Sequence, residues 1–302
     1  MHNNKLIIAV ASSALFDLTE SDAVFREQGK DKYIAYQKQN ENITLQPGVA
    51  FLFVNQLLGL NSQKFNFKPV EVVLLSRNNP STGVRIMKSL EHYKLNITRA
   101  AFTEGASPWP YMRSFGVHLF LTGNKDDVLL ALQNGMAAGC VTGKQHPNME
   151  GLDGLRLAFD FDGILASDES ETIFQEKGLI EFEKYECDNF DKPLQPGPLT
   201  DFFLQIAQIQ MDEKELSLNS EYQPKIRTAL VTARGPRAFM RAVMSLRSWG
   251  LEVNEAFFLS GMDKSQTLAA FAPQIFFDDS LVHVEKAKDF VPSVHVPYGI
   301  NN

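Results

Sequence analysis

LAFDFDGIL, residues 157–165, ends an apolar run on two carboxylates, Asp160 and Asp162. In an extended segment, residues two apart project to the same side. Two acids converging on one point repel unless a cation or proton intervenes, so the pair predicts a magnesium site. Phe161 and Gly163 let the backbone turn tightly there, and their amides can face an anion; Asp-Gly is also an ordinary turn dipeptide. Three further stretches have the same form. ALVTARG carries Thr232, whose hydroxyl suits a phosphate oxygen together with the amides of Ala233 and Arg234, or caps a helix. SGMDKSQ offers Lys264, able to neutralise a phosphoryl group, and QIFFDDS stops on Asp278 and Asp279. Four such features, each at the end of an apolar run, fit one phosphoryl-transfer site.

The runs that end on these residues alternate with amphipathic helical stretches, the pattern of parallel sheets covered on both faces. Ligands in such folds bind beyond the carboxyl ends of the strands. An internal repeat organises the chain. At an offset of 149, ESDAVFREQG (20–29) faces ESETIFQEKG (169–178), and LQPG (45–48) faces LQPG (194–197). At an offset of 156, VVLLSRNNP (72–80) faces TALVTARGP, RIMKSLEHYKL (85–95) faces RAVMSLRSWGL, and AAFTEG (100–105) faces AFFLSG. The change of offset falls near 57–71 and 206–227, polar stretches that read as surface loops. The expectation is an α/β chain of two tandem homologous Rossmann-like halves, residues 1–141 and 155–302, each with a parallel sheet. The Gly-rich stretch 142–154 joins them.

The ordered set DFDG…Thr…Lys…DD resembles the haloacid dehalogenase-like phosphatases. FDFDGILASDESE, LVTARG, SLRSWGL, IFFDD and HVPYG are similar to the cytosolic AMP-preferring 5′-nucleotidases, as are SSALF, the YQ…EN…PG run and EHYKL to TEGASP in the first half. The resemblance implies Asp160 as a nucleophile that becomes an aspartyl phosphate and Asp162 as the acid, then the base. It implies that Thr232 and Lys264 hold the phosphoryl oxygens, with Phe161, Gly163, Ala233 and Arg234 around the substrate. Mg²⁺ would be held by Asp160, the Asp162 carbonyl and Asp278, with Asp279 ligating or just behind. A small helical cap over about 168–193 would exclude water, its acids Glu169, Glu171 and Glu176 forming a solvated face. Phe161 departs from the family pattern, which usually has a small residue there.

The same offsets place Ala11 and Ser13 opposite Asp160 and Asp162, and Ser76 opposite Thr232. Pro108, Thr122 and Gly123 stand opposite Lys264, Asp278 and Asp279. The first half has therefore lost every charged group of the site and is expected to be catalytically dead. Its role is then architectural, or its strand ends keep a pocket near SRNN (76–79) and TEGASPWPY (103–111) for substrate or an adenine-nucleotide effector.

A net charge of −7 without a basic stretch argues against nucleic acid as a partner. Two cysteines, Cys140 and Cys187, read as reduced, partly buried thiols of a cytosolic protein. Lys5 and LIIAVASSALF mimic a short signal peptide, but the analogue inside the chain marks them as a first strand, and no run reaches the roughly 18 apolar residues of a membrane span. The expected activity is Mg²⁺-dependent hydrolysis of an AMP-like nucleoside 5′-monophosphate in the cytoplasm, by a chain that could pair as a homo-oligomer. A phosphatase for another phosphomonoester and a non-catalytic nucleotide sensor are the alternatives.

Overall fold

The computed structural model describes residues 5–62, 68–144, 153–218 and 220–299. Ten strands form one continuous sheet. The first five are β1 (Leu6–Val10), β2 (Val70–Ser76), β3 (Arg99–Phe102), β4 (Leu119–Thr122) and β5 (Ala138–Thr142). The second five are β6 (Leu155–Phe159), β7 (Ile226–Thr232), β8 (Glu255–Phe258), β9 (Ile275–Asp278) and β10 (Ser293–His295). Their order is β3-β2-β1-β4-β5-β10-β9-β6-β7-β8, so each half presents the same sequence of strands outward from the join. Pairing is parallel within each half.

Register repeats as well as order. Leu6 pairs with Val70, and Leu155, 149 residues on, pairs with Ile226, 156 residues on. Val73 with Arg99 is matched by Ala229 with Glu255. Leu45 N–H donates to Ser89 Oγ at 3.0 Å, and Leu194 N–H donates to Ser245 Oγ at 2.9 Å.

Helices cover both faces. The first half has α1 (Ser12–Leu15), α2 (Thr19–Gln28), α3 (Lys30–Gln39), α4 (Phe51–Gly59), α5 (Gly83–His92), α6 (Trp109–Phe115) and α7 (Lys125–Gln133). The second has α8 (Glu169–Asp188), α9 (Thr200–Leu218), α10 (Phe239–Ser248), α11 (Ser265–Phe271) and α12 (Leu281–Ala287). Alternate strand residues divide between the faces as the pleat requires. Leu6, Ile8, Leu155, Leu157 and Phe159 belong to one apolar core that runs under both halves. On the other face Ala9, Val73 and Phe120 lie in one core, and Ala158, Val231 and Phe276 in a separate one. Across the shared face α4 touches β6 and α9 touches β1.

Two expectations need correction. The sheets are not separate parallel units, because β10 runs antiparallel to β5 and fuses them, with Val294 opposite Val141. These strands are three and five residues long, too short to carry a periodic signal, and the whole of the second is buried or nearly so. Residues 206–218 are not a surface loop but the body of α9, with Ile206, Ile209 and Glu213 buried, and of 57–71 residues 57–59 belong to α4 and 70–71 to β2. The polar residue that made this stretch look exposed is satisfied inside: Glu213 accepts from Tyr222 Oη (2.6 Å) and from the Lys225 and Ile226 amides. Of the proposed linker, 145–152 lies outside the described residues.

The join depends on Gly139. A Cβ there would stand 2.2 Å from Cγ1 of Val294, a stiff, fully buried side chain. Gly139→Val should cost about 1–3 kcal/mol by overpacking, read as a lower midpoint in urea unfolding.

Candidate active site

The carboxyl ends of β6, β7 and β9 converge, and each ends on a residue singled out by its chemistry. Thr232 and Asp278 are the last residues of their strands, and Asp160 follows the last of β6. Lys264 immediately precedes α11. Its Nζ lies 2.9 Å from Asp160 Oδ1 and 2.7 Å from Asp278 Oδ2, with all three residues buried. The ammonium expected to face a phosphoryl group sits between two acids.

Burial pushes the Asp160 carboxyl up to about 6, with Lys264 holding back a larger rise. Burial and the neighbouring charges of Asp160 and Asp278 push Asp279 up to about 9. Burial works against the charges of Asp278 and Lys264, yet each keeps its own. Lys264 and His283 hold Asp278 below its usual range, and Asp160 and Asp278 hold Lys264 above its own. Asp160 Oδ1, buried beside the ammonium, has no well-aligned hydrogen bond.

His283, in the first turn of α12, was not singled out from sequence. Its Nδ1 lies 3.3 Å from Asp278 Oδ2, and ligand atoms of Asp160, Asp278 and His283 all fall within 4.8 Å of one another. A cation could be shared at that spacing. The Asp279 carboxylate is not in this set: Asp279 packs against Gly163, which has φ +68 and whose Cβ would lie 2.7 Å from the carboxyl. Gly163 therefore serves both the turn and the close approach.

A model of the 5′-nucleotidase family matches residues 1–302. The chain belongs to the 5′-nucleotidase family. Human cytosolic 5′-nucleotidase 1B is 37% identical over 291 residues, covering 94% of this chain and 47% of that protein. The chain thus spans about half the length of the curated relative it matches.

In this 5′-nucleotidase family member Asp162 faces Arg234 rather than the cluster of acids. The guanidinium grips it with two hydrogen bonds of 2.7 Å, from Nε and Nη2, and a third goes to Glu186. Arg234 is almost wholly buried, and its amide donates to Thr232 Oγ1 at 3.1 Å. Three of its five guanidinium N–H groups are thus used within the protein. Ala233 is half-buried and its carbonyl accepts from Gly261. The Phe161 ring is fully buried, 4.8 Å from the Arg234 guanidinium and 6.3 Å from the Trp249 ring. Only its backbone is left to approach a ligand, so the departure in side chain at 161 is absorbed by the core.

The segment expected to form a cap is α8, kinked at Gly178. Glu169 is not part of a solvated face: it accepts from Tyr185 Oη (2.7 Å) and Arg241 (2.9 Å). Glu171 is half-buried and Glu176 exposed. Glu186, fully buried, accepts from Arg234, Arg241 and Ser170 Oγ. A run of charges therefore links Asp162 to the helix above it. An acidic residue 17 positions after another in a charged helix carries no signal of its own in sequence. Of the thiols, Cys140 is buried and Cys187 exposed.

Arg234→Met would leave Asp162 and Glu186 without their cation. The expected loss is about 3–5 kcal/mol of unfolding free energy, measured by chemical denaturation.

Proposed function

We propose that the chain hydrolyses nucleoside 5′-monophosphates, with AMP-like substrates favoured, through an aspartyl phosphate on Asp160. The observation that carries the reading is the buried contact of Asp160, Lys264 and Asp278 at adjoining strand ends, in a chain of the 5′-nucleotidase family. The human relative carries 5′-nucleotidase in its name, which favours the same reaction class here. Its name also includes cytosolic, and among the described residues no helix is long and apolar enough to cross a membrane; a cytosolic location is part of the proposal.

In this reading a carboxylate oxygen of Asp160 forms a bond to phosphorus as the bond from phosphorus to the ribose O5′ breaks. Asp162, having taken up a proton from solvent before the step, gives it to that oxygen, then takes one from the water that displaces Asp160 from phosphorus. Arg234 acts as a positioning residue, fixing the Asp162 carboxylate and tying its orientation through Glu186 to α8. Lys264 and Thr232 steady the phosphoryl oxygens. Asp160 and Asp278 supply hard oxygen donors and Asp160 Oδ1 lacks an aligned hydrogen bond, which fits Mg²⁺, with His283 or Asp279 beside them. When bound, Mg²⁺ would withdraw negative charge from the phosphate and the acids facing it.

The matching strand orders and registers support a duplication as the origin of the two halves, each built on a haloacid dehalogenase-like plan. The absence of the acids from Ala11, Ser13 and Thr122 makes the first half non-catalytic in this reading.

Phosphate release across a panel of nucleoside monophosphates, with and without Mg²⁺, tests the proposal. AMP turnover should require the metal, and Asp160→Asn should bring it to background. Asp162→Asn should slow it roughly 10²–10⁴-fold. Turnover near wild type in Asp160→Asn refutes the nucleophile.

A pH dependence follows from the same acids. Asp160 and Asp279 have folded-state values raised to about 6 and about 9, so protonation favours the folded protein. Without metal, that contribution is present at low pH and is lost as pH rises through those values. Mg²⁺ competes with the protons, so its stabilising effect should be larger at pH 8 than at pH 6. Melting temperatures at both pH values, with and without Mg²⁺, check this.

A further inference from the structure

The first half retains the apparatus that holds α8 in the second. There Tyr185 donates to Glu169, while Arg241 reaches Glu186 and the Lys192 carbonyl, both at 2.9 Å. At the matching positions Tyr36 donates to Glu20 at 3.0 Å, and Arg85 reaches Gln37 at 3.4 Å and the Ile43 carbonyl at 2.8 Å. Gly178 in α8 has φ 79 and ψ 179; Gly29, between α2 and α3, has φ 84 and ψ −180. The pair α2–α3 is thus kinked and anchored as α8 is.

Beneath it lies a cavity of about 460 Å³. That volume falls within the range of small-molecule sites, roughly 300–1,000 Å³. The strand-end side of the cavity includes Ala11, Ser13, Thr122 and Gly123, the counterparts of Asp160, Asp162, Asp278 and Asp279. Asn78 stands where Arg234 stands in the other half. Its amide donates to Ser12 and Ser76 Oγ, both at 3.2 Å, and its oxygen accepts from Tyr33 Oη at 2.5 Å. A neutral network has replaced an ionic one. From SRNN, Arg77, Asn78 and Asn79 line the cavity, and from TEGASPWPY, Glu104 and Gly105 do; Ser107 does not.

The charges on the walls settle what kind of ligand fits. Arg77 is gripped by Asp127 through contacts of 2.6–3.1 Å, and Lys30 meets Glu104 at 3.2 Å. With Asp22 as well, three acids line the cavity against two bases, and both bases are paired. A phosphate dianion would meet three carboxylates there and would have to win either cation from its partner. The Ser13 hydroxyl and the Asn79 side-chain amide instead offer hydrogen bonds, and Phe25, 51% exposed, meets Tyr33 edge-on at 5.7 Å beside them. Such a wall suits a flat heterocycle carrying a polyhydroxylated group.

We propose that this cavity is a non-catalytic nucleoside site, retaining the half of a nucleotide site that faces the leaving group and lacking the half that handles phosphate. Choosing a nucleoside among uncharged heterocycles rests on the 5′-nucleotidase reading, since nucleoside is that reaction's product. A free nucleoside and the nucleoside part of a larger nucleotide present the same chemistry to it.

Equilibrium dialysis of the full chain with labelled adenosine tests the proposal, with AMP, ADP and inorganic phosphate as competitors. Ser13→Phe fills the cavity, and Phe25→Ala removes an exposed ring and leaves the core intact. Both should lose an adenosine site present in the wild type, or weaken it about tenfold, the value of one base–aromatic contact. Competition by AMP or ADP at concentrations where phosphate is inert identifies a nucleotide as a source of the bound nucleoside; competition by adenosine alone identifies the free product. Adenosine binding unchanged in both variants overturns the proposal, as does displacement by phosphate alone. AMP hydrolysis by the same wild-type preparation separates the two readings: hydrolysis with variant-insensitive adenosine binding sinks this inference only, and variant-sensitive binding without hydrolysis supports the site while sinking the proposed activity.

Discussion

Burying several acids at one point is tolerable only if something answers their charge. Here that something is Lys264, wedged between Asp160 and Asp278. Three strands can end side by side on polar residues because this ammonium lies among them, and because Asp278 also receives the Ser280 amide at 2.8 Å. The balance is incomplete, since burial still raises Asp160 and Asp279. A group that remains short of positive charge after its protein partners are counted is suited to bind more of it, as a metal or a substrate-borne proton.

A second set of buried charges stands on the first. Asp162 turns away from the cluster to Arg234, and from Arg234 the pairing continues through Glu186 and Arg241 to Glu169. Chemistry at the strand ends and the position of α8 are consequently one structural problem. A helix that merely lay over the site could be moved without disturbing the acids; this one is held by the guanidinium that also holds Asp162.

Much of this was legible in the sequence because each strand that matters is an apolar run stopped by a polar side chain. LAFD, ALVT and IFFD announce their own ends, and the repeat points to the corresponding runs of the first half. What escaped was either too short or too dependent on partners. SVH and AGCVT have no period to read, so the antiparallel join was invisible. His283 and Glu186 look like surface residues until the fold brings their partners to them. Residues 206–218 look like a loop because polar residues crowd them, although one, Glu213, turns inward to the amides of Lys225 and Ile226.

The antiparallel pairing of β5 with β10 has a geometric result. Strands on either side of that seam run in opposite directions, so the carboxyl ends of β1, β2 and β4 point to one edge of the sheet and those of β6, β7 and β9 to the other. The cavity of the first half and the acids of the second therefore open back to back. Any conversation between them passes through the apolar layer they share, where α4 rests on β6 and α9 on β1.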